Sequence, residues 1–188
     1  MKPAKSFACL CVAVTALASI ARADDPPFPK PTAEHKILAA DEGTWDATIK
    51  SYEAGPESAP TVTKGVEVNT VITGGLWIVS TFKGDFAGLA FEGRGQYGYD
   101  PIKKKYVGTW IDSMSTSVIV LEGTYDAGTK TLSFTGDGVC PVDNTKMVMR
   151  MVTTAKDEGT RHFVMYATGT ITGGKEAKMM EVEYTKRK

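Results

Sequence analysis

Four charged residues and one histidine stand where their spacing could do chemistry. Asp112 follows Trp110 by two residues, so in an extended segment both side chains share one face. Glu122 and Arg150 interrupt otherwise apolar runs, and Arg94 sits in the glycine-rich stretch GRGQYGY. If these faces point inward, each charge is held at low dielectric. An unpaired buried charge costs several kcal/mol, so Arg94 or Arg150 is expected to accompany Asp112 or Glu122. Such a cluster would anchor the head group of a ligand, and two carboxylates could also serve as acid and base. The plain alternative is an exterior salt bridge or a structural buried pair. Alternation alone leaves the inward face open.

Other chemistry has thinner support. No Gly-x-Ser-x-Gly elbow is present, and only His35 and His162 offer imidazoles. His35 falls in a predicted helix and is expected at its surface. His162, in TRHFVMYA, shares a face with Val164 and Tyr166 and reads as a hydrogen-bonded pocket or core residue. Paired cysteines and His-x-x-x-His are missing, and Asp137, Asp143 and Asn144 lack the order of a calcium loop. We therefore expect no metal and no cofactor. Apolar contact is better supplied. Met147, Met149 and Met151 line one face of a single segment, with Met165, Met179 and Met180 after it. Unbranched thioethers adapt to irregular shapes, which suits either a pocket or ordinary core filling. Tyr97, Tyr99 and Trp110 would add aromatic surface.

The elements that must position these residues are strands. Trp45, Ala47 and Ile49 alternate with Asp46, Thr48 and Lys50, a period of two. Similar runs follow over 65–73, 76–83, 89–99, 105–113, 117–125, 130–137, 146–155, 161–168 and 176–185. Asp100-Pro101, Asp126-Ala127-Gly128, Asp157-Glu158-Gly159 and Gly173-Gly174 supply the turns between them. The one helix predicted runs from Ala33 to about Ala40, capped by Thr32 and ended before Gly43. About ten hairpin-spaced strands make a meander, and a flat meander would leave two long edges open to pairing. Closing into an antiparallel up-and-down barrel removes them, and a barrel wider than eight strands tends to enclose a cavity.

The chain ends speak of export. Lys2 and Lys5 precede a mostly apolar run from Phe7 to Ile20, then Ala21-Arg22-Ala23. This is a signal peptide over residues 1–23, shorter in its apolar part than the roughly 20 residues a membrane span needs. The leader takes three of the 22 basic residues and none of the 22 acidic ones, leaving a net charge of −3 on one domain's worth of chain. With no basic excess, nucleic acid is not an expected partner. Only Cys140 survives processing, so no internal disulfide forms, and burial is its expected state. Residues 24–31, DDPPFPKP, hold four prolines and read as a stiff tether. The domain then occupies 32–188.

Leu38 with Gly43-Thr44-Trp45, Phe91-Glu92-Gly93, Gly98-Tyr99-Asp100, Tyr106, Trp110-Ile111-Asp112-Ser113, Glu122-Gly123 and Glu183-Tyr184-Thr185-Lys186-Arg187 together resemble the bacterial domain-of-unknown-function family 1579. Pro101 departs from the pattern, where asparagine is more usual. The resemblance implies a calycin-like barrel, related in architecture to lipocalins and fatty-acid-binding proteins. In lipocalins the tryptophan of Gly-x-Trp packs against an arginine from the last strand. By that likeness Trp45 and Arg187 become structural partners, with Lys186 or Lys188 as substitutes. The nitrobindin-like barrels of the same general architecture suggest a further role, His162 as a haem ligand.

These readings converge on an exported, noncatalytic protein, periplasmic or secreted, that binds a small hydrophobic or amphipathic molecule. The expected site comprises Arg94, Tyr97, Tyr99, Trp110, Asp112, Glu122, Met147, Met149, Arg150, Met151 and His162. The alternatives are an isomerase-like or hydrolytic enzyme using Asp112, Glu122 or His162, a haem-binding barrel, and a filled cell-envelope domain. The export reading makes one sharp prediction. Intact mass of the protein taken from its own host should correspond to a chain starting at Asp24; a chain retaining Met1 would refute it.

Overall fold

The structure, a computed structural model, describes residues 28–52, 58–86, 88–140 and 143–188. The expected signal peptide and residues 24–27 of the expected tether lie outside them. Helix α1 (Ala33–Ala39) is followed by ten strands: β1 (Gly43–Ser51), β2 (Thr61–Ile72), β3 (Trp77–Phe86), β4 (Leu89–Asp100), β5 (Lys105–Asp112), β6 (Ile119–Asp126), β7 (Thr131–Val139), β8 (Lys146–Ala155), β9 (Thr160–Thr168) and β10 (Ala177–Lys186). Every strand pairs antiparallel with its sequence neighbours, and β1 also pairs with β10 from Trp45↔Lys186 to Ser51↔Met180. The sheet is a closed barrel, as the turn spacing predicts.

The tight turns form where short polar side chains can bond back to the chain. Asp100 Oδ1 accepts the N–H groups of Ile102 and Lys103 at 2.8 and 3.0 Å. Asp126 Oδ1 does the same for Gly128 and Thr129, and Asp157 Oδ1 for Gly159. These Asx-type bonds occupy donors that the reversal takes out of the ladder. The α1 end is also closed by local bonds. His35 Nδ1 accepts the Thr32 N–H at 3.1 Å, while the ring meets Tyr99 edge-on at 6.0 Å between centroids. His35 is therefore buried, not at the helix surface as its position suggests. Leu38 turns inward from α1 into a core with Ile78, Tyr106, Leu121 and Met149, so the helix packs over one end of the barrel. Cys140 is buried in the same core.

Strand parity settles the glycine-rich stretch. A Cβ on Gly93 would overlap the Trp110 ring, and one on Gly95 would overlap the Tyr97 hydroxyl. On Gly108 it would meet the Gln96 carbonyl oxygen at 2.7 Å and the Tyr97 ring at 2.5 Å. The register explains the seating, because Tyr97 lies opposite Gly108 and Trp110 opposite Gly95. These glycines are spaces kept empty so that inward aromatic rings can lie flat along the wall. Gly108→Val should accordingly destabilise the fold by about 1–3 kcal/mol, the usual cost of overpacking. Urea unfolding measures this; wild-type stability in the variant would show that the ring does not need the space.

Candidate functional site

Closure places one face of every strand inside, and those side chains do not fill the tube. A cavity of about 290 Å³ remains. Its walls are apolar, with Phe82, Phe91, Phe134, Phe163 and Trp110 among the rings, and Met147, Met149, Met151, Met165 and Met180 among the adaptable chains. The methionines come from β8, β9 and β10 because alternate positions on those strands point inward. Met151 lies opposite Met165 in the ladder. Polar groups gather at two levels. Asp112 and Ser115, with the apolar Met114 between them in sequence, belong to the rim where β5 ends, whereas Asp41, Glu67, Asn69, Ser80, Tyr97, Arg161 and Tyr184 belong to the α1 side.

That deeper group is organised around Arg161, which is 6% exposed. Its Nη1 donates to Asp41 Oδ2 at 2.7 Å and its Nη2 donates to Glu67 Oε1. The guanidinium also lies over the rings of Trp45 and Tyr184, at 4.5 and 4.3 Å from their centroids. Burial works against the charge on Arg161, but Glu67 and Asp41 more than offset it and hold the group above its usual value. Burial pushes the Asp41 carboxyl up, against the pull of Arg161. Tyr97 and Tyr184 are both raised well above the ordinary phenol, by burial first and by the Glu67 charge second. Trp45 Nε1 donates to the Asp41 carbonyl at 2.9 Å, and Asn69 Nδ2 donates to Glu67 Oε1 at 2.8 Å.

Trp45 is thus the buried structural tryptophan its motif suggests, but its arginine partner is Arg161 of β9. Arg187, expected in that place, is exposed and pairs with Asp46 at 2.6 Å. Strand parity is the reason: β10 turns Val182 and Tyr184 into the barrel, while Arg187 lies beyond its end. Lys186 does approach Trp45, with Nζ 5.2 Å from the ring centroid.

Of the residues expected at the site, Tyr97, Trp110, Asp112, Met147, Met149 and Met151 line the cavity. Trp110 Nε1 donates to Asp112 Oδ2 at 2.9 Å, and the Met114 N–H donates to Asp112 Oδ1 at 2.9 Å. Asp112 therefore meets an indole and a backbone amide in place of the expected arginine. Tyr99 packs deeper, against Tyr106 and His35, and does not border the space. Four expectations are corrected. Arg94 is on the outer wall beside Glu92 at 3.1 Å. Glu122 is outside between Lys103 and Lys105, whose hydrogen bonds hold its carboxyl below the usual range. Arg150 is outside in a two-bond pair with Glu176, over the Tyr166 ring. His162 is outside with Nε2 3.7 Å from both Glu181 and Glu183, so a haem iron within the barrel is beyond its reach. In each case the strand's apolar alternate positions claim the interior, and the charged neighbour faces water.

The residues missed on sequence are Arg161 and Glu67. Arg161 alternates with Phe163 and Met165, one charge on an apolar face, and that signal was available. Among the described residues no cluster of histidine, cysteine and carboxylate side chains could hold a metal ion, and no helix is long and apolar enough to cross a membrane.

Against this geometry, comparison with known proteins is informative about fold. The profile of the family described as protein of unknown function (DUF1579) matches residues 30–186, and the chain belongs to that family. No curated protein matches the sequence. The S-type phycobiliprotein lyase CPES from Guillardia theta superposes with a TM-score of 0.58 at 10% identity, covering 84% of this chain and 94% of its own. A redesigned β-barrel reaches 0.43 at 10% identity, covering 81% and 96%. The lyase shares the calycin-like barrel.

Exchange of the two arginines separates their roles. Arg161→Met leaves Asp41 and Glu67 without their cation and should cost about 3–5 kcal/mol in urea unfolding. Arg187→Met should cost under about 1 kcal/mol, as exposed pairs do. Equal losses would mean that Arg161 is not the residue on which the barrel end is built.

Proposed function

We propose that this protein is an exported, noncatalytic binding protein that holds a small, largely apolar molecule inside its barrel. The observation that carries the reading is the cavity of about 290 Å³, walled by aromatic rings and thioethers and rimmed by Asp112. At roughly 30 Å³ per water it has room for about ten. It lies at the small end of the volumes that take organic ligands. Water in such a space gains few hydrogen bonds from the walls, so an apolar guest displaces it favourably. Met147, Met149, Met151 and Met165 can adjust their torsions to the guest's outline. Asp112 has lone pairs beyond those used by Trp110 and Met114, and these orient a polar substituent near the rim.

The acid–base alternative draws on Asp112, Glu122 and His162, of which only Asp112 reaches the cavity. A filled structural barrel is at odds with the open interior.

N-Phenyl-1-naphthylamine, a neutral fluorophore of suitable size, should bind with enhanced emission. Native mass spectrometry of protein from its own host should show an adduct. Met165→Trp fills the cavity from the wall and should weaken dye binding at least tenfold while circular dichroism stays that of the barrel. Dye affinity unchanged by Met165→Trp would place the dye elsewhere. Absence of any bound dye, together with protein that is repeatedly empty, would defeat the proposal.

A further inference from the structure

The cavity floor identifies the kind of polar group the guest carries. A buried arginine beside tyrosine hydroxyls is an arrangement suited to gripping a carboxylate in two parallel bonds. Here the guanidinium is already committed. Its two terminal nitrogens serve Asp41 and Glu67, its Nε has no partner but is sealed from the cavity, and the rings of Trp45 and Tyr184 lie against it. Arg161 and, nearer the end of the barrel, Lys186 balance Asp41 and Glu67, so the floor has no surplus positive charge to offset the hydration that an anionic head group would lose there.

The unpartnered groups that open onto the cavity are neutral. Ser80 is 5% exposed, borders the cavity, and its hydroxyl makes no hydrogen bond among the described residues. Tyr97 also borders the cavity, and its hydroxyl likewise has no hydrogen-bonding partner among the described residues. The ladder places these two groups side by side. Ser80 lies opposite Gly95, and the Tyr97 hydroxyl occupies the space over Gly95 that a Cβ would need. Burial and Glu67 keep Tyr97 protonated, so it presents a donor. Neither oxygen is sealed, unlike Ser51 Oγ and Arg161 Nε, so both hydroxyls open onto the cavity and can meet an oxygen or N–H of whatever enters it.

We infer that the guest enters with a neutral hydrogen-bonding end, a hydroxyl or carbonyl, seated on Ser80 and Tyr97, and that carboxylates of equal length are rejected. This rests on the cavity-binding reading above and deepens it.

The test is displacement of N-phenyl-1-naphthylamine at pH 8 by 1-decanol, decanoate and naphthalene. Decanol should displace the dye at a concentration at least tenfold below decanoate. Ser80→Ala and Tyr97→Phe should each raise the decanol concentration required roughly three- to tenfold, the worth of one hydrogen bond, and leave naphthalene unchanged. Glu67→Gln releases Arg161 and should narrow the gap between decanoate and decanol. Decanoate binding as tightly as decanol, or decanol unaffected by both hydroxyl deletions, would overturn the inference while dye and naphthalene binding kept the cavity reading intact. Failure of every probe to bind would instead overturn the cavity reading itself. Because Ser80→Ala removes a single oxygen, the result does not depend on Glu67→Gln folding.

Discussion

Strand β1 has two partners, and the second of them decides what the other nine strands can do. Its ladder with β10 runs over seven residue pairs, from Trp45↔Lys186 to Ser51↔Met180. Without it the meander would be a curved sheet with two unpaired edges and both faces open to water. With it, one face of every strand is removed from solvent together. The ten-strand circumference then outgrows the side chains available to fill it. The cavity is a consequence of strand count and closure. Its chemistry is a consequence of which residues happen to have inward parity.

Two devices keep that interior open yet ordered. On β4 and β5, glycines at 93, 95 and 108 leave room for Trp110 and Tyr97 to lie against the wall. A bulkier residue at any of them would push a ring toward the axis and consume the cavity. At the α1 side, Arg161 ties β9 to Glu67 of β2 and to Asp41 in the segment between α1 and β1. Charges so placed are unfavourable singly and tolerable together. The same ion pairs that secure the barrel end also engage both terminal nitrogens of the arginine, and so restrict what the floor can recognise. Structure and selectivity are coupled there.

The outer wall follows another logic. Glu122 with Lys103 and Lys105, Arg150 with Glu176, Arg94 with Glu92, and Arg187 with Asp46 are all solvent-facing pairs. They solvate the strands and contribute little individually. The calycin-like barrel shared with the phycobiliprotein lyase concerns the scaffold alone, because a scaffold does not determine the chemistry grafted onto it.

Much of the scaffold was legible in the residues taken in order. Period-two alternation marked the strands, the Asp-containing turns marked their ends, and Thr32 marked the start of α1, since each depends on contacts within a few residues. Trp45 could be named as structural from its motif. The partner of Trp45 could not, since β1 and β9 are not adjacent in the barrel and only closure brings Arg161 over that ring. Nor could the fate of Glu122, Arg150 and His162, because alternation defines two faces and is symmetric between them. Hydrophobic closure breaks that symmetry: the face with more apolar area goes inside, and each charge on the other face remains with water.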